Sequence, residues 1–129
     1  MFLALFLAIQ GGIMRNTNSK VRCEKRKMSK CREVVRTYNQ LQSKFAEMLE
    51  KDENIKEFVC NYLLTDFSIT DGKYTTDFYC MTNDGEVIVY ECVFRKYLTK
   101  PLTAKLLDAS RNYWERRGIK WRLVVDAEK

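Results

Sequence analysis

From Val34 onward, hydrophobic positions recur at steps of three and four: Val34, Val35, Tyr38, Leu41, Phe45, Met48 and Leu49. This spacing lays them along one side of an α-helix, predicted to begin near Cys31, to end around Lys51 and to pack its stripe inward. After Asp52-Glu53-Asn54 the pattern changes. The runs 58–65, 74–81 and 87–94 are short and rich in β-branched and aromatic residues, and each predicts a strand. Asn83-Asp84-Gly85 between the second and third is a hairpin signal. Pro101 opens a second predicted helix, with Thr99 as a nearby cap. Its inward residues are Leu102, Leu106, Ala109 and Tyr113, flanked by Leu107 and Trp114, and Gly118 is its terminator. Residues 119–125 predict a last strand. A strand, a helix and a strand in succession make a crossover unit, so the chain predicts a mixed α/β sheet with at least one parallel pair and helices packed on it.

Ahead of this folded part, taken as 31–129, residues 1–30 are expected to form an apolar start and a basic arm. The nine apolar residues Met1 to Ile9 fall short of the roughly 20 that a membrane span needs. No Lys or Arg precedes them, as a secretory signal would require. The alternatives are a short docking or membrane-touching segment, or a misassigned upstream extension with the true start at Met14 or Met28; the expectation is misassignment or a dispensable arm, and no membrane partner. Arg15 to Lys30 carries almost no large apolar side chain and is expected to be a flexible or weakly helical arm able to follow a phosphate backbone.

At 129 residues the chain has room for one core, and 46% hydrophobic against 31% charged residues, with one Pro and five Gly, excludes disordered and collagenous classes. It contains no His, which removes histidine bases, triads and metal ligands. Five Cys without a C-x-x-C pair suggest neither a zinc site nor a disulfide framework. They read as free thiols of a reducing, cytoplasmic compartment.

Charge is segregated. Residues 15–36 hold nine basic and two acidic side chains, residues 37–93 four and eleven, and residues 94–122 nine and two. An acidic middle between basic flanks suits a metal-dependent enzyme acting on a polyanion, and equally a solvated surface. If the hairpin loop is the three residues 83–85, Asp77 lies directly across from Glu91. Two carboxylates on one face would then stand about 5 Å apart at Cβ, needing a cation, a shared proton or solvent to relieve them. A two-residue loop would set Asp77 against Cys92 instead.

The segments Lys73-Tyr-Thr-Thr-Asp77-Phe, Asn83-Asp-Gly-Glu-Val-Ile-Val-Tyr-Glu91-Cys-Val93 and Tyr113-Trp-Glu-Arg-Arg-Gly-Ile-Lys-Trp-Arg-Leu-Val-Val125, with Lys105-Leu-Leu between them, resemble the nuclease domain of TnsA-type transposase endonuclease subunits. They are also similar to phage head-completion nucleases. Both belong to the restriction-endonuclease-like superfamily, and the resemblance covers roughly residues 36 to 126. The superfamily pattern is a Glu on the first helix, an Asp on one strand and Glu-x-Lys or Gln-x-Lys on the next. Here the helix Glu falls on Gln42 and the motif Lys on Val93. Gln42 retains an oxygen able to accept a hydrogen bond from metal-bound water, whereas Val93 has no chemistry to offer.

Two readings follow from the resemblance. In the first, Asp77, Glu91 and the Cys92 carbonyl hold Mg²⁺ or Mn²⁺ for phosphodiester hydrolysis, Lys105 or Lys96 stands in for the missing Lys, and Arg95, Lys100, Arg111 and Arg116 hold the DNA backbone. In the second, the centre has decayed and a nuclease-like fold binds DNA or a protein through its basic flanks. DNA and a transposase or phage protein are the partners implied, with self-association left open. Tyr113, Trp114 and Trp121 are read as core packing.

Overall fold

The computed structural model describes residues 23–64 and 74–127. The apolar start, the arm before Cys23 and Lys73 lie outside them. The element order is β1 (Glu24–Arg26), β2 (Val35–Thr37), α1 (Gln40–Lys51), β3 (Ile55–Leu64), β4 (Tyr74–Thr82), β5 (Val87–Cys92), a 3-10 turn (Arg95–Tyr97), α2 (Pro101–Glu115) and β6 (Lys120–Val124). Strands β3-β4-β5-β6 form one mixed sheet, antiparallel except for the β5–β6 pair, and β1–β2 form a separate antiparallel hairpin. The α2 crossover between β5 and β6 supplies the parallel pair that the strand-helix-strand order requires.

The hairpin and the start of α1 depart from the sequence pattern. Val34, Val35 and Tyr38 are not helical; Val35 and Thr37 are buried strand residues, and Val34 and Tyr38 are exposed. Asn39 explains the later start, because its side-chain oxygen accepts the Gln42 amide N–H at 2.9 Å and caps α1. The buried stripe of α1 is Gln42, Ala46 and Leu49, with Leu41 and Phe45 flanking it, while Met48 is 63% exposed.

Among the described residues of the basic arm, Glu24–Arg26 form β1, and the arm's cations find partners on α1. Arg26 bonds to Glu47 at 2.8 Å and to the Ser43 carbonyl at 3.0 Å. Lys30 Nζ donates to the carbonyls of Leu49 and Asp52 at the C-terminal end of α1, where a helix favours positive charge. Glu50 accepts from the Ser29 hydroxyl and amide, and these bonds hold its carboxyl below the usual range.

Each face of the sheet carries one helix. Leu106 and Trp114 of α2 pack on Leu64, Tyr74 and Val89. Ala46 and Leu49 of α1 pack with Val35 on Ile55, Phe58, Phe78, Cys80 and Cys92. In α2, Leu102 is 60% exposed and Ser110 takes a fully buried place on the inward stripe. Gly118, at φ +74°, turns the chain into β6 through a backbone angle that a Cβ disfavours.

The sheet rolls over at one point, and that point positions the site. On β3, Phe58 and Cys60 belong to the α1 side, whereas Leu64 belongs to the α2 side and Tyr62 packs on Trp114. On β4, Phe78 and Cys80 lie on the α1 side, and Tyr74 and Thr76 on the α2 side. Cys60 pairs with Phe78 and Tyr62 with Thr76, so the change falls at Asn61 and Asp77 without a shift of register. Asn61 absorbs it with φ +57° and ties back to the Arg36 carbonyl at 3.0 Å. Asn61→Val should therefore cost about 1–2 kcal/mol in urea unfolding, since a β-branched residue resists that angle. Asn61→Gly keeps the angle and loses only the bond; equal losses in both would put the cost on the bond instead.

Candidate functional site

The hairpin loop is the three residues 83–85, closed by Gly85 N–H to the Thr82 carbonyl at 3.0 Å and Thr82 N–H to the Glu86 carbonyl at 2.8 Å. The β4–β5 ladder runs from Met81↔Val87 to Phe78↔Tyr90. Asp77 and Glu91 are next in that register. Regular alternation would put both on the α2 side, but the roll-over at Asp77 turns its side chain toward α1.

The two carboxylates consequently have separate partners. Asp77 Oδ2 accepts the Cys92 amide N–H at 2.7 Å, and Oδ1 accepts the Gln42 Nε2–H at 3.2 Å. Glu91, 2% exposed, reaches into the α2 side. Its Oε1 accepts from the Tyr74 hydroxyl. Its Oε2 accepts from the Ser110 hydroxyl, the Thr76 hydroxyl at 3.3 Å and the Trp121 indole N–H at 3.5 Å. Thr76 is itself fixed by the Trp114 indole N–H at 2.9 Å.

Electrostatics follow from this burial. Desolvation pushes the Glu91 carboxyl up to about 8, the neighbouring Asp77 charge adds to the rise, and the bonds from Ser110, Tyr74 and Trp121 oppose it. Desolvation also pushes Asp77 up to about 6, against the bonds from Cys92 and Gln42. Burial, with the Glu91 charge next in size, raises Tyr74 far above its ordinary value and keeps it a donor. Both shifts favour the protonated carboxyl, and a proton on Glu91, which a neighbouring hydroxyl would turn to accept, is one of the three reliefs available to opposed acids.

The sequence also pointed to Gln42, and α1 does bring it to Asp77. Its orientation is the reverse of the one a metal-bound water would need. Gln42 Oε1 accepts the Tyr38 amide N–H at 2.8 Å, which obliges the NH₂ group to face Asp77. Neither stand-in lysine joins the pair. Lys96 lies over the rings of Phe94 and Tyr97, 5.9 and 5.2 Å from their centroids, and Lys105 is exposed on α2.

A divalent cation such as Mg²⁺ or Mn²⁺ needs deprotonated oxygens with free lone pairs. The donors here do not fit one: Glu91 is enclosed by the hydroxyls of Tyr74, Thr76 and Ser110 and the Trp121 indole N–H, and Asp77 faces the Gln42 NH₂ and the Cys92 N–H. Among the described residues, no group of three or more Cys, Asp or Glu is placed to hold a metal ion.

The basic residues assigned to the DNA backbone are all exposed, each with a contact of its own. Arg95 holds Asp126 through its amide at 2.6 Å and through Nε to the Asp126 carbonyl at 3.0 Å. Lys100 sits over the Tyr97 ring at 5.0 Å. Arg111 pairs with Asp108 at 2.8 Å, and Arg116 Nε donates to the Asn112 carbonyl at 3.3 Å. The described residues include no helix long and apolar enough to cross a membrane.

Sequence reasoning missed Tyr74, Thr76 and Ser110, and gave Trp114 and Trp121 a packing role only. One signal was available: Ser110 lies between Leu106 and Trp114 at helical spacing, and a hydroxyl on an apolar stripe requires a buried partner.

No curated protein matches the chain. The family model described as TnsA-like endonuclease N terminal matches residues 31–126. That span takes in α1, the whole four-stranded sheet and α2, together with both carboxylates, so the chain belongs to the TnsA-like endonuclease N-terminal domain family.

Proposed function

We propose that this chain is a DNA-binding, non-cleaving member of its family, a subunit that contributes a nuclease-like fold to a transposition complex. The observation that carries the reading is the bonding of Asp77 and Glu91 into opposite helical layers, with Gln42 turned amide-first toward Asp77. Val93, at the place of the family's Lys, supplies no group to position or activate water.

The DNA-binding half rests on where charge is spent. In the first basic block Arg26 and Lys30 are engaged with α1. In the block 94–122 all nine Lys and Arg are exposed. Among them Arg111 is paired with Asp108 and Lys120 with Glu86 at 3.6 Å. Cations left in solvent on a turn, a helix and an edge strand suit phosphate contacts, whose strength falls steeply with salt.

The enzyme reading, with Mg²⁺ or Mn²⁺ on Asp77, Glu91 and the Cys92 carbonyl, keeps one point in its favour, the adjacency of the two acids in register. A nicking assay on supercoiled plasmid with Mg²⁺ and Mn²⁺, run beside a binding titration at several salt concentrations, separates the two. We expect no nicking, together with binding that weakens with salt and survives Asp77→Ala. Metal-dependent nicking abolished by Asp77→Ala would reinstate the enzyme.

A further inference from the structure

A second site lies away from the carboxylates, on the seam between the β1–β2 hairpin and β3. A cavity of about 530 Å³ opens there, lined by Cys31 and Cys60 together with Arg32, Arg36, Tyr38 and Val59. Both thiols are partly exposed, pack against the same apolar cluster on the α1 side and lie close enough for each to shift the other's titration. The seam is pinned on either side of them. Phe58 N–H donates to the Lys30 carbonyl at 3.2 Å, and Asn61 Nδ2 donates to the Arg36 carbonyl at 3.0 Å. The other cysteines differ: Cys80 and Cys92 are buried, and Cys23 lies against Tyr38 outside the cavity lining.

We propose that Cys31 and Cys60 are a peroxide-sensitive dithiol site, closing to a disulfide when hydrogen peroxide enters the cavity they line. The two thiols perturb one another in opposite directions. The hydrogen bond from Cys60 holds Cys31 below the usual thiol range, while that same bond and burial push Cys60 up. A low, accessible thiol beside a resolving one is the arrangement that oxidises selectively.

The steps balance. The Cys31 thiolate attacks one peroxide oxygen, the O–O bond breaks, and the departing hydroxide takes a proton to become water, leaving Cys31 as a sulfenic acid. Cys60 sulfur then attacks Cys31 sulfur; the S–S bond forms, the S–O bond breaks, and the leaving oxygen takes the Cys60 proton as a second water. The two thiols lose two electrons and the peroxide gains them. The product ties the hairpin covalently to β3 across an existing seam, which restricts the unfolded chain and raises resistance to denaturation until a thiol reductant reverses it.

The test treats the reduced full-length protein with stoichiometric hydrogen peroxide, blocks remaining thiols with iodoacetamide and maps peptides without reduction. Expected are a Cys31–Cys60 cross-linked peptide, alkylated Cys80 and Cys92 after denaturation, and reversal by dithiothreitol. In Cys60→Ser, whose hydroxyl still donates to Cys31, a dimedone-trappable sulfenic acid should accumulate at Cys31. In Cys31→Ser, Cys60 should stay reduced. Alkylation of native wild-type protein gives a readout independent of variants, with Cys31 expected to react faster than Cys23. Peroxide treatment that leaves Cys31 and Cys60 as alkylatable as before would overturn the proposal, as would oxidation directed to Cys23.

Discussion

Glu91→Ala is expected to destabilise the protein by about 3–5 kcal/mol, lowering Tm by more than about 10 °C, whereas Glu91→Gln changes stability by less than about 1 kcal/mol at neutral pH. The contrast follows from what surrounds the side chain. Alanine leaves a void beside Val89 and Trp114 and strands the hydroxyls of Tyr74, Thr76 and Ser110 with the Trp121 N–H. Each buried donor without a partner costs about 1–3 kcal/mol. Glutamine fills the same volume, keeps an oxygen for the indole and for the Ser110 and Thr76 hydroxyls, and places its NH₂ toward the Tyr74 hydroxyl, which rotates to accept. It mimics the neutral form of the carboxyl, which burial favours. Thermal melts of both variants at pH 7 check this; an equal, large loss in Glu91→Gln would mean that a charged carboxylate is required.

Stability should also fall as pH rises across the neutral range, the reverse of the usual behaviour of carboxylates. Both folded-state values are raised, Glu91 from 4.5 to about 8 and Asp77 from 3.8 to about 6. The folded state therefore binds more protons than the unfolded one between the ordinary and the raised values. The stabilisation is complete below the ordinary carboxyl range and disappears as pH passes the raised values. Between about pH 6 and 8 Glu91 alone contributes, with a slope of about 1.4 kcal/mol lost per pH unit, and between about 4.5 and 6 Asp77 doubles it. A chain without His has no imidazole titrating in this window. Urea midpoints from pH 5.5 to 7.5 measure the slope, and Glu91→Gln should flatten it above pH 6. A flat wild-type profile would show that Glu91 is ionised in the folded protein.

Much of the fold was legible because its signals were local. Pro101 and Gly118 bracket α2, and Asn83-Asp84-Gly85 marks the β4–β5 turn and its register. The hairpin β1–β2 was not legible: Val34, Val35 and Tyr38 fit the same three-and-four spacing as the true helix, and only the cap formed by Asn39 divides them. Its basic side chains looked like a phosphate-seeking arm because their partners, Glu47 and the last carbonyls of α1, lie 19 to 22 residues further along the chain and are brought beside them only by the fold.

The candidate site was legible in identity and not in orientation. Loop length correctly made Asp77 and Glu91 neighbours, but the expectation that they share a face assumed a strand that alternates without interruption. Asn61, on the adjacent strand, accompanies the interruption, and a single positive φ leaves little trace in sequence. The direction of the Gln42 amide was equally hidden, since it depends on a main-chain N–H at Tyr38 that exists only because the helix begins later than the hydrophobic spacing suggests.

The central claim is that these carboxylates hold a proton and hydrogen bonds in place of a metal, and Mn²⁺ binding at pH 7 tests it most directly. Electron paramagnetic resonance of free Mn²⁺, titrated with the full-length protein in the presence and absence of duplex DNA, should show no stoichiometric loss of signal that depends on Asp77. One Mn²⁺ bound per chain and released by Asp77→Ala would contradict the account.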